Sequence, residues 1–503
     1  MTTRGKVYLV GSGPGDPGLV TLRGCQALAE ADVVLYDYLV NPLVLNHVSP
    51  HAERICLGRH GRGRIMPQRE ICQRMVRHAQ EGRCVVRLKA GDPVVFAHAA
   101  EEIAALQHAQ IHYEIIPGIT AALAVGSYCG IPLTQGDAAS AVALVTGQER
   151  GGKEVASLDY RALASFPGML VFYMGVTTVE TWTAQLIEAG KSPETPAAIV
   201  RRVSWPDQQS IICTLGTLAA ETKTRHLRPP ALFIVGPVAA SSQSHNWFVD
   251  RPLFGTRILV TRAADQASAL TLALSEQGAD VLMQPAIEIL PPADWTEVNE
   301  RIAELSHYDW LVFSSANGVR MFLNLLLESR DVRCLGSLRL AAIGPGTARE
   351  LAAFFLTADL VPHEHRAEAL ADALAVEARA GRRFLLVRAS RGREVLAESL
   401  SAAGGQVDQV VAYRSTDVEQ ADPEIAARLS AGEIDWITVT SSAIARSLAR
   451  LFGPDLSKAR LASISPVTSQ TLRELGLAPA AEAVRYTIAG LVEAIVAASS
   501  RGQ

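Results

Sequence analysis

Cysteine is scarce in this chain and carries no pattern. Seven cysteines are scattered over 503 residues, odd in number and with no CxxC pair among them. That excludes a disulfide framework and reads as reduced, mostly packing thiols in the cytoplasm. Long apolar runs are missing too: none approaches the roughly 18 residues of a membrane-spanning helix. Charge of one sign is not in excess. Forty-seven Lys and Arg stand against 51 Asp and Glu, a formal net charge of −4, so no bulk field draws nucleic acid or a membrane surface. The opening MTTRGKVYLV lacks the apolar core of a signal peptide and runs straight into a strand. What is present is ordinary globular material, 49% hydrophobic and 19% charged, with a mean hydropathy of +0.16. It suffices for large cores spread over about two to four domains.

The most informative segment is Lys6–Leu22, KVYLVGSGPGDPGLVTL, a short apolar strand, a glycine/proline turn and a helix start. Such turns are where open α/β sheets bind ligands. A dinucleotide loop needs its third glycine three places after the second. Here Gly15 follows Gly13 by two, with Pro14 between them offering no backbone N–H. Asp16 would repel a pyrophosphate, and no Lys-Ser or Lys-Thr pair follows the turn. Two readings stand: a tight turn without a ligand, or a site for a ligand that presents no phosphate.

Further strand ends follow. ADVVLYDYLV ends its strand at Asp37, a candidate general base or a helix cap. RICLGRHGRGR, Arg54–Arg64, is a dense basic loop whose interspersed glycines suit nucleic acid or a polyanionic small molecule, the modest net charge favouring the small molecule. VVRLKAGDPVVF, Val85–Phe96, ends in a Gly-Asp-Pro turn, and IIPGITAALAVGSYCGIPLT, Ile115–Thr134, is a third strand, turn and helix.

VYLVGSGPGDPGLVTLRG, ADVVLYD, RLKAGDP, PGITAA, GIPLT, LVTGQE and VFYMGV, in this order, resemble the uroporphyrinogen-III C-methyltransferase family over about residues 5–248. The resemblance implies a two-lobed tetrapyrrole methyltransferase fold that binds S-adenosylmethionine, in line with a phosphate-free ligand. Carried over by position, Pro14, Gly91, Asp92, Val95, Thr120, Ala121, Met174 and Val203 would line the cofactor site, and Asp37 falls on the family's proton acceptor. The family's proton-donor lysine falls on Arg59, which binds a carboxylate but donates a proton poorly. GGDP becomes Ala90-Gly91-Asp92-Pro93, GRGGEE becomes AHAAEE at Ala97–Glu102, and LTHR becomes LTQG with Gln135 and Gly136. The substrate side therefore departs more than the cofactor side.

The polar, turn-rich SSQSHNWFVDRPLFG, residues 241–255, marks a boundary. Strands such as Ala231–Val235 and Ile258–Thr261, alternating with helices, give a βαβα rhythm that predicts parallel α/β domains. Beyond the boundary the chain repeats itself. GTRILVTRA at Gly255 and GRRFLLVRA at Gly381 are 126 residues apart, as are DWLVFSSANGVRMF at Asp309 and DWITVTSSAIARSL at Asp435. RLAAIGPGTARELA at Arg339 and RLASISPVTSQTLR at Arg460 are 121 apart. Two similar parallel-sheet lobes follow from this, and a cleft between lobes suits a small molecule. No metal site or nucleophile triad is visible. Hydroxyl-rich turns recur at Ser314–Asn317 with Ser315 and Asn317, at Thr347, at Thr440–Ser442 with Ser441, and at Thr468. Singly they read as helix caps; together they also suit binding of carboxylates. Arg262 and Arg388, at equivalent repeat positions, are surface arginines or anion clamps.

ILVTRA, DWLVFSSANGV, AAIGPGTA, VVAYRST, VTSSA and ISPVTSQT with YTIAGLVEAI resemble uroporphyrinogen-III synthase over about residues 255–495. The resemblance implies closure of hydroxymethylbilane to uroporphyrinogen III. It also implies interleaved lobes, one of about 255–290 plus 418–503 and one of about 291–417, with Tyr413 assisting departure of the hydroxyl. The expectation is a fused enzyme, methyltransferase at 1–248, linker at 249–254 and synthase at 255–503. It would use S-adenosylmethionine without a metal, make precorrin-2 for siroheme or cobalamin, and form a homodimer through its first half. Two rivals stand beside it: a first half altered in target or inactive, and a second half that is a non-catalytic bilobed binding module.

Overall fold

The computed structural model describes residues 5–58, 66–148, 158–240, 246–336, 338–392 and 394–500. It divides into two compact units, Met1–Thr256 with Ser275–Asp280, and Arg257–Leu274 with Val281–Gln503.

The first unit holds two five-stranded sheets. Strands β1 (Lys6–Gly11), β2 (Val33–Tyr36), β3 (Glu53–Cys56), β4 (Val85–Lys89) and β5 (His112–Ile116) pair all in parallel in the order β3-β2-β4-β1-β5. Alternate residues feed opposite faces: Val7, Leu9, Val33 and Leu35 enter one core, Tyr8, Val10, Val34 and Val86 the other. A sheet buried on both faces by helices accounts for the continuous apolar runs in these strands. β1 sits between β4 and β5 while the chain crosses it from β4 to β5, so three strand ends open side by side at the carboxyl edge.

The second sheet comprises β6 (Val142–Thr146), β7 (Met169–Tyr173), β8 (Pro196–Arg201), β9 (Gln209–Thr214) and β10 (Ala231–Val235), in the order β6-β7-β10-β8-β9. Only β6 and β7 are parallel; β10 runs antiparallel to both its neighbours, and β8–β9 is an antiparallel hairpin. The expected parallel pattern around Ala231–Val235 is corrected here. A helix between two strands does not force a parallel crossover when the returning strand inserts between two existing ones.

Residues 249–254, expected as a linker, belong to the packed body of this unit. Phe248 and Leu253 are buried, and Val249 and Phe254 pack beside them. The apolar WFVDRPLF that follows the polar SSQSHN decides this: burying each such side chain is worth about 1.5–3 kcal/mol.

In the second unit the repeat becomes architecture. Its strands are β11 (Arg257–Val260), β12 (Asp280–Met283), β13 (Ile287–Leu290), β14 (Trp310–Phe313), β15 (Arg339–Ala342), β16 (Arg383–Ala389), β17 (Gln406–Asp417), β18 (Trp436–Val439), β19 (Arg460–Ser463) and β20 (Pro479–Glu482). One sheet is β12-β11-β18-β19-β20 and the other β13-β17-β16-β14-β15. The series β12-β11-β18-β19 matches β17-β16-β14-β15 strand for strand. In each copy an aspartate before the central strand accepts a backbone N–H from its neighbour: Asp435 from Arg257 at 2.7 Å, Asp309 from Arg383 at 2.8 Å. In each a buried tryptophan lies under an arginine, Trp436 under Arg460 and Trp310 under Arg339. These repeated residues sit at the amino ends of the strands and build the sheet.

The strands are parallel except β13, which pairs antiparallel with the second half of β17. The chain thus changes sheets between Met283 and Ile287, a few residues before the expected 290, and returns after Asp417.

Candidate functional site

The carboxyl edge of the first sheet is built by turns in direct contact. Gly13 and Gly91 form a two-way bridge, the Gly91 N–H donating to Gly13 O at 2.8 Å and the Gly13 N–H to Gly91 O at 3.2 Å. A Cβ on Gly118 would stand 2.2 Å from Gly91 O and 2.7 Å from the Gly11 Cα, so those backbones meet only because both are glycine. Asp92 ties the turns together: one carboxylate oxygen accepts from the Val94 N–H at 2.9 Å, the other from the Gly118 N–H at 3.2 Å. Gly91 has φ +70°, and a Cβ there would meet nothing nearer than the Thr120 Cα at 3.9 Å, so the space beside this glycine is open.

The second sheet closes on this edge through two elements. Tyr173, the last residue of β7, shares a hydrogen bond with the Thr120 hydroxyl at 2.6 Å and accepts the Ala122 N–H at 2.9 Å, taking over the cap of helix Ala121–Cys129. Met174 follows it, half exposed, with φ +54°. The β8–β9 hairpin supplies Ser204 and Trp205. The Asp16 N–H donates to Ser204 Oγ at 3.0 Å, the Trp205 indole N–H donates to Pro14 O at 3.1 Å, and the ring lies where a Cβ on Gly15 would be. The Asp16 carboxylate is consumed locally, accepting from the Gly18 N–H and the Tyr128 hydroxyl. Burial and that carboxylate push the Tyr128 phenol up, so it stays a donor.

Pro14, Gly91, Asp92, Thr120, Ala121 and Met174 thus stand on adjoining turns, with partly buried Val95 beyond the Gly-Asp-Pro turn. Val203 differs: it is buried in the core with Val200 and Leu232, because its own turn is anchored inward by Gln208, whose amide oxygen accepts the Ser204 N–H. Arg59 lies outside the described residues.

Asp37, just past β2, is held by an unexpected group. The Arg87 guanidinium donates to Asp37 Oδ1 at 2.6 Å and, through Nε, to Glu102 Oε1 at 3.0 Å. Glu102 Oε2 takes the Lys89 ammonium at 2.6 Å, and the Gln68 amide donates to Oε1 at 3.2 Å. Arg87, Lys89 and Glu102 are all buried, and the four charges cancel. Burial opposes the charge on Arg87, but Asp37 and Glu102 outweigh it and raise its pKa; burial and the neighbouring Arg87 lower that of Lys89. Removing one member of a buried pair costs about 3–5 kcal/mol. The sequence did hold a signal: two charges, two apart, in the otherwise apolar β4 strand VVRLK.

In the second unit, Tyr413 on β17 is buried, and its hydroxyl shares a hydrogen bond with Ser315 Oγ at 2.9 Å. Burial pushes its pKa up, against the hydrogen bonds of Ser315 and Asn317, and it remains a protonated donor. Asn317 reaches to the other lobe, its Oδ1 accepting the Gln266 amide at 2.7 Å; Gln266 in turn accepts from Arg262. Arg262, Gln266, Asn317, Ser315 and Tyr413 therefore form one polar chain, of which Gln266 escaped the sequence reading because nothing in its local pattern marks it.

Ser315 and Ser441 cap their helices, accepting the Gly318 and Ile444 N–H groups. Thr347 and Thr468 are buried within helices, and the third cap is Ser465, which accepts the Thr468 N–H. Arg388 lies inside β16. Its guanidinium is engaged by Glu394 and by Gln409, so as an anion clamp it is already occupied by its own chain.

Among the described residues no cluster of His, Cys, Asp or Glu could hold a metal ion, and no helix is long and apolar enough to cross a membrane.

Comparison with known proteins falls along the same division. Residues 6–219 match the family model of the tetrapyrrole (corrin/porphyrin) methylases, and residues 268–493 that of uroporphyrinogen-III synthase HemD. The porphyrin biosynthesis protein HemD of Ruminiclostridium josui is 32% identical over 87% of each chain. The uroporphyrinogen-III C-methyltransferase of Bacillus subtilis is 37% identical over 70% of this chain and 73% of its own. An S-adenosyl-L-methionine-dependent uroporphyrinogen III methyltransferase of Methanosarcina barkeri is 42% identical over 46% of this chain and 92% of its own. The chain belongs to the tetrapyrrole methylases through its first half and to the HemD uroporphyrinogen-III synthases through its second, a fusion of two porphyrin-biosynthesis families.

Proposed function

We propose that the second unit closes hydroxymethylbilane to uroporphyrinogen III and that the first methylates this product twice to precorrin-2, on the branch to siroheme or cobalamin. The observation that carries the methylation reading is the placement of the ion-paired Asp37 carboxylate one strand from the three touching glycine turns. The open space at Gly91, with Thr120 beside it and Pro14 removing an N–H, suits a ligand without phosphate, here S-adenosylmethionine.

S-adenosylmethionine supplies a methyl group on a sulfonium, strongly electrophilic toward an electron-rich pyrrole carbon. The turns at Gly13, Gly91 and Gly118 fix the distance and line of approach. Asp37, held in place by Arg87, takes the proton that the methylated carbon must lose. In the second unit the Tyr413 hydroxyl donates a hydrogen bond to the departing hydroxyl, while Ser315, Asn317, Arg262 and Ser441 hold the carboxylated substrate. Joining the two steps on one chain raises effective concentration.

The test is a separation of activities. Asp37→Ala abolishes methyl transfer from S-adenosylmethionine and leaves ring closure at its original rate. Undiminished methylation in that variant removes Asp37 from the mechanism.

A further inference from the structure

We propose that Arg87 and Glu102 are positioning residues for methyl transfer: a buried charge chain that sets the orientation of the Asp37 carboxylate. This rests on the reading of Asp37 as the proton acceptor. The geometry gives each member one task. Among the described residues, Arg87 alone touches both carboxylates, with Nη2 on Asp37 and Nε on Glu102. Its remaining nitrogen, Nη1, donates to the Leu88 carbonyl at 3.1 Å, which locks the guanidinium plane. Glu102 is completely buried and fixed by three donors, from Arg87, Lys89 and Gln68. Asp37 is the one member of the chain that reaches solvent, its side chain 29% exposed. A structural ion network has no need to end on a solvent-facing carboxylate at a strand's carboxyl edge.

The chain gives a distinct expectation for each change. Among the described residues, the groups facing Asp37 and its chain are Arg87 and Lys89 from β4, Glu101 and Glu102 from helix Ala99–His108, Gln68 and Cys72 from helix Gln68–Gln80, and the adjacent Tyr38. Without Arg87, Asp37 loses the donor that holds its Oδ1. Without the Glu102 charge, Arg87 keeps its bond to Asp37 but loses the anchor at Nε.

The experiment measures kcat and KM for methylation of uroporphyrinogen III by the full chain, with S-adenosylhomocysteine affinity measured alongside. In Arg87→Gln kcat is expected to fall about tenfold or more while KM and S-adenosylhomocysteine affinity hold, and in Glu102→Gln to fall less. Arg87→Lys, which keeps the charge, restores only part of kcat, since an ammonium cannot span both carboxylates. Where Arg87→Gln impairs S-adenosylhomocysteine binding, the charge-balanced Arg87→Gln/Glu102→Gln double variant is read in its place, with the same loss of kcat expected. An unchanged kcat, or one that falls only together with S-adenosylhomocysteine affinity in both variants, overturns the proposal. Asp37→Ala separates the two claims: loss of methylation there with unchanged kcat in the Arg87 and Glu102 variants rejects the charge chain alone, and full methylation in Asp37→Ala rejects the reading beneath it.

Discussion

Tyr413 illustrates how a single residue acquires chemistry from its surroundings. A phenol in water shares its hydrogen bonds with solvent, but here it is buried and held beside Ser315 at 2.9 Å. Tyr413→Phe keeps the ring and its packing and removes one donor. It is expected to slow ring closure roughly tenfold or more, the value of one hydrogen bond that strengthens toward the transition state. Methylation of supplied uroporphyrinogen III stays unchanged, and continuous product assays on the two substrates check both halves of the statement. Arg388 marks the opposite case. It was an equal candidate beside Arg262, yet Glu394 and Gln409 hold its guanidinium, and Gln409, 21 residues along the chain, is invisible to local pattern.

Elements explain why the first site lies where it does. The Gly11, Gly91 and Gly118 turns touch backbone to backbone, so Gly118→Ala forces a Cβ to within 2.2 Å of a carbonyl oxygen that no side-chain motion can relieve. Overpacking of this kind costs about 1–3 kcal/mol. The expected outcome is S-adenosylhomocysteine affinity reduced about tenfold or more by calorimetry, with ring closure retained. The glycines and the Gly-Asp-Pro turn were legible because a turn's requirements are local. The grip of Ser204 and Trp205 on Asp16 and Pro14 was not. It depends on β8 and β9 forming an antiparallel hairpin, and the strand and helix alternation predicted parallel strands there. Arg87 and Glu102 stand between these cases: the anomaly in VVRLK is visible, but its partners come from two helices and another strand.

For the whole molecule, repetition was the strongest signal. The offset of 126 residues between Asp309 and Asp435 becomes two sheets with the same strand order, because residues that build a sheet edge must recur wherever the sheet recurs. The boundary was harder. Polar SSQSHN suggested a linker over residues 249–254, but Phe248 and Leu253 are buried in the first unit. Composition over six residues is a weaker guide than the two or three large apolar groups that follow. The central claim, two consecutive reactions on one chain, is tested most directly by giving the intact protein hydroxymethylbilane and S-adenosylmethionine and identifying products by absorbance and mass. The account predicts uroporphyrinogen III that goes on to carry two added methyl groups. Uroporphyrinogen III without methyl groups contradicts the claim for the first unit, and the spontaneous type I isomer alone contradicts it for the second.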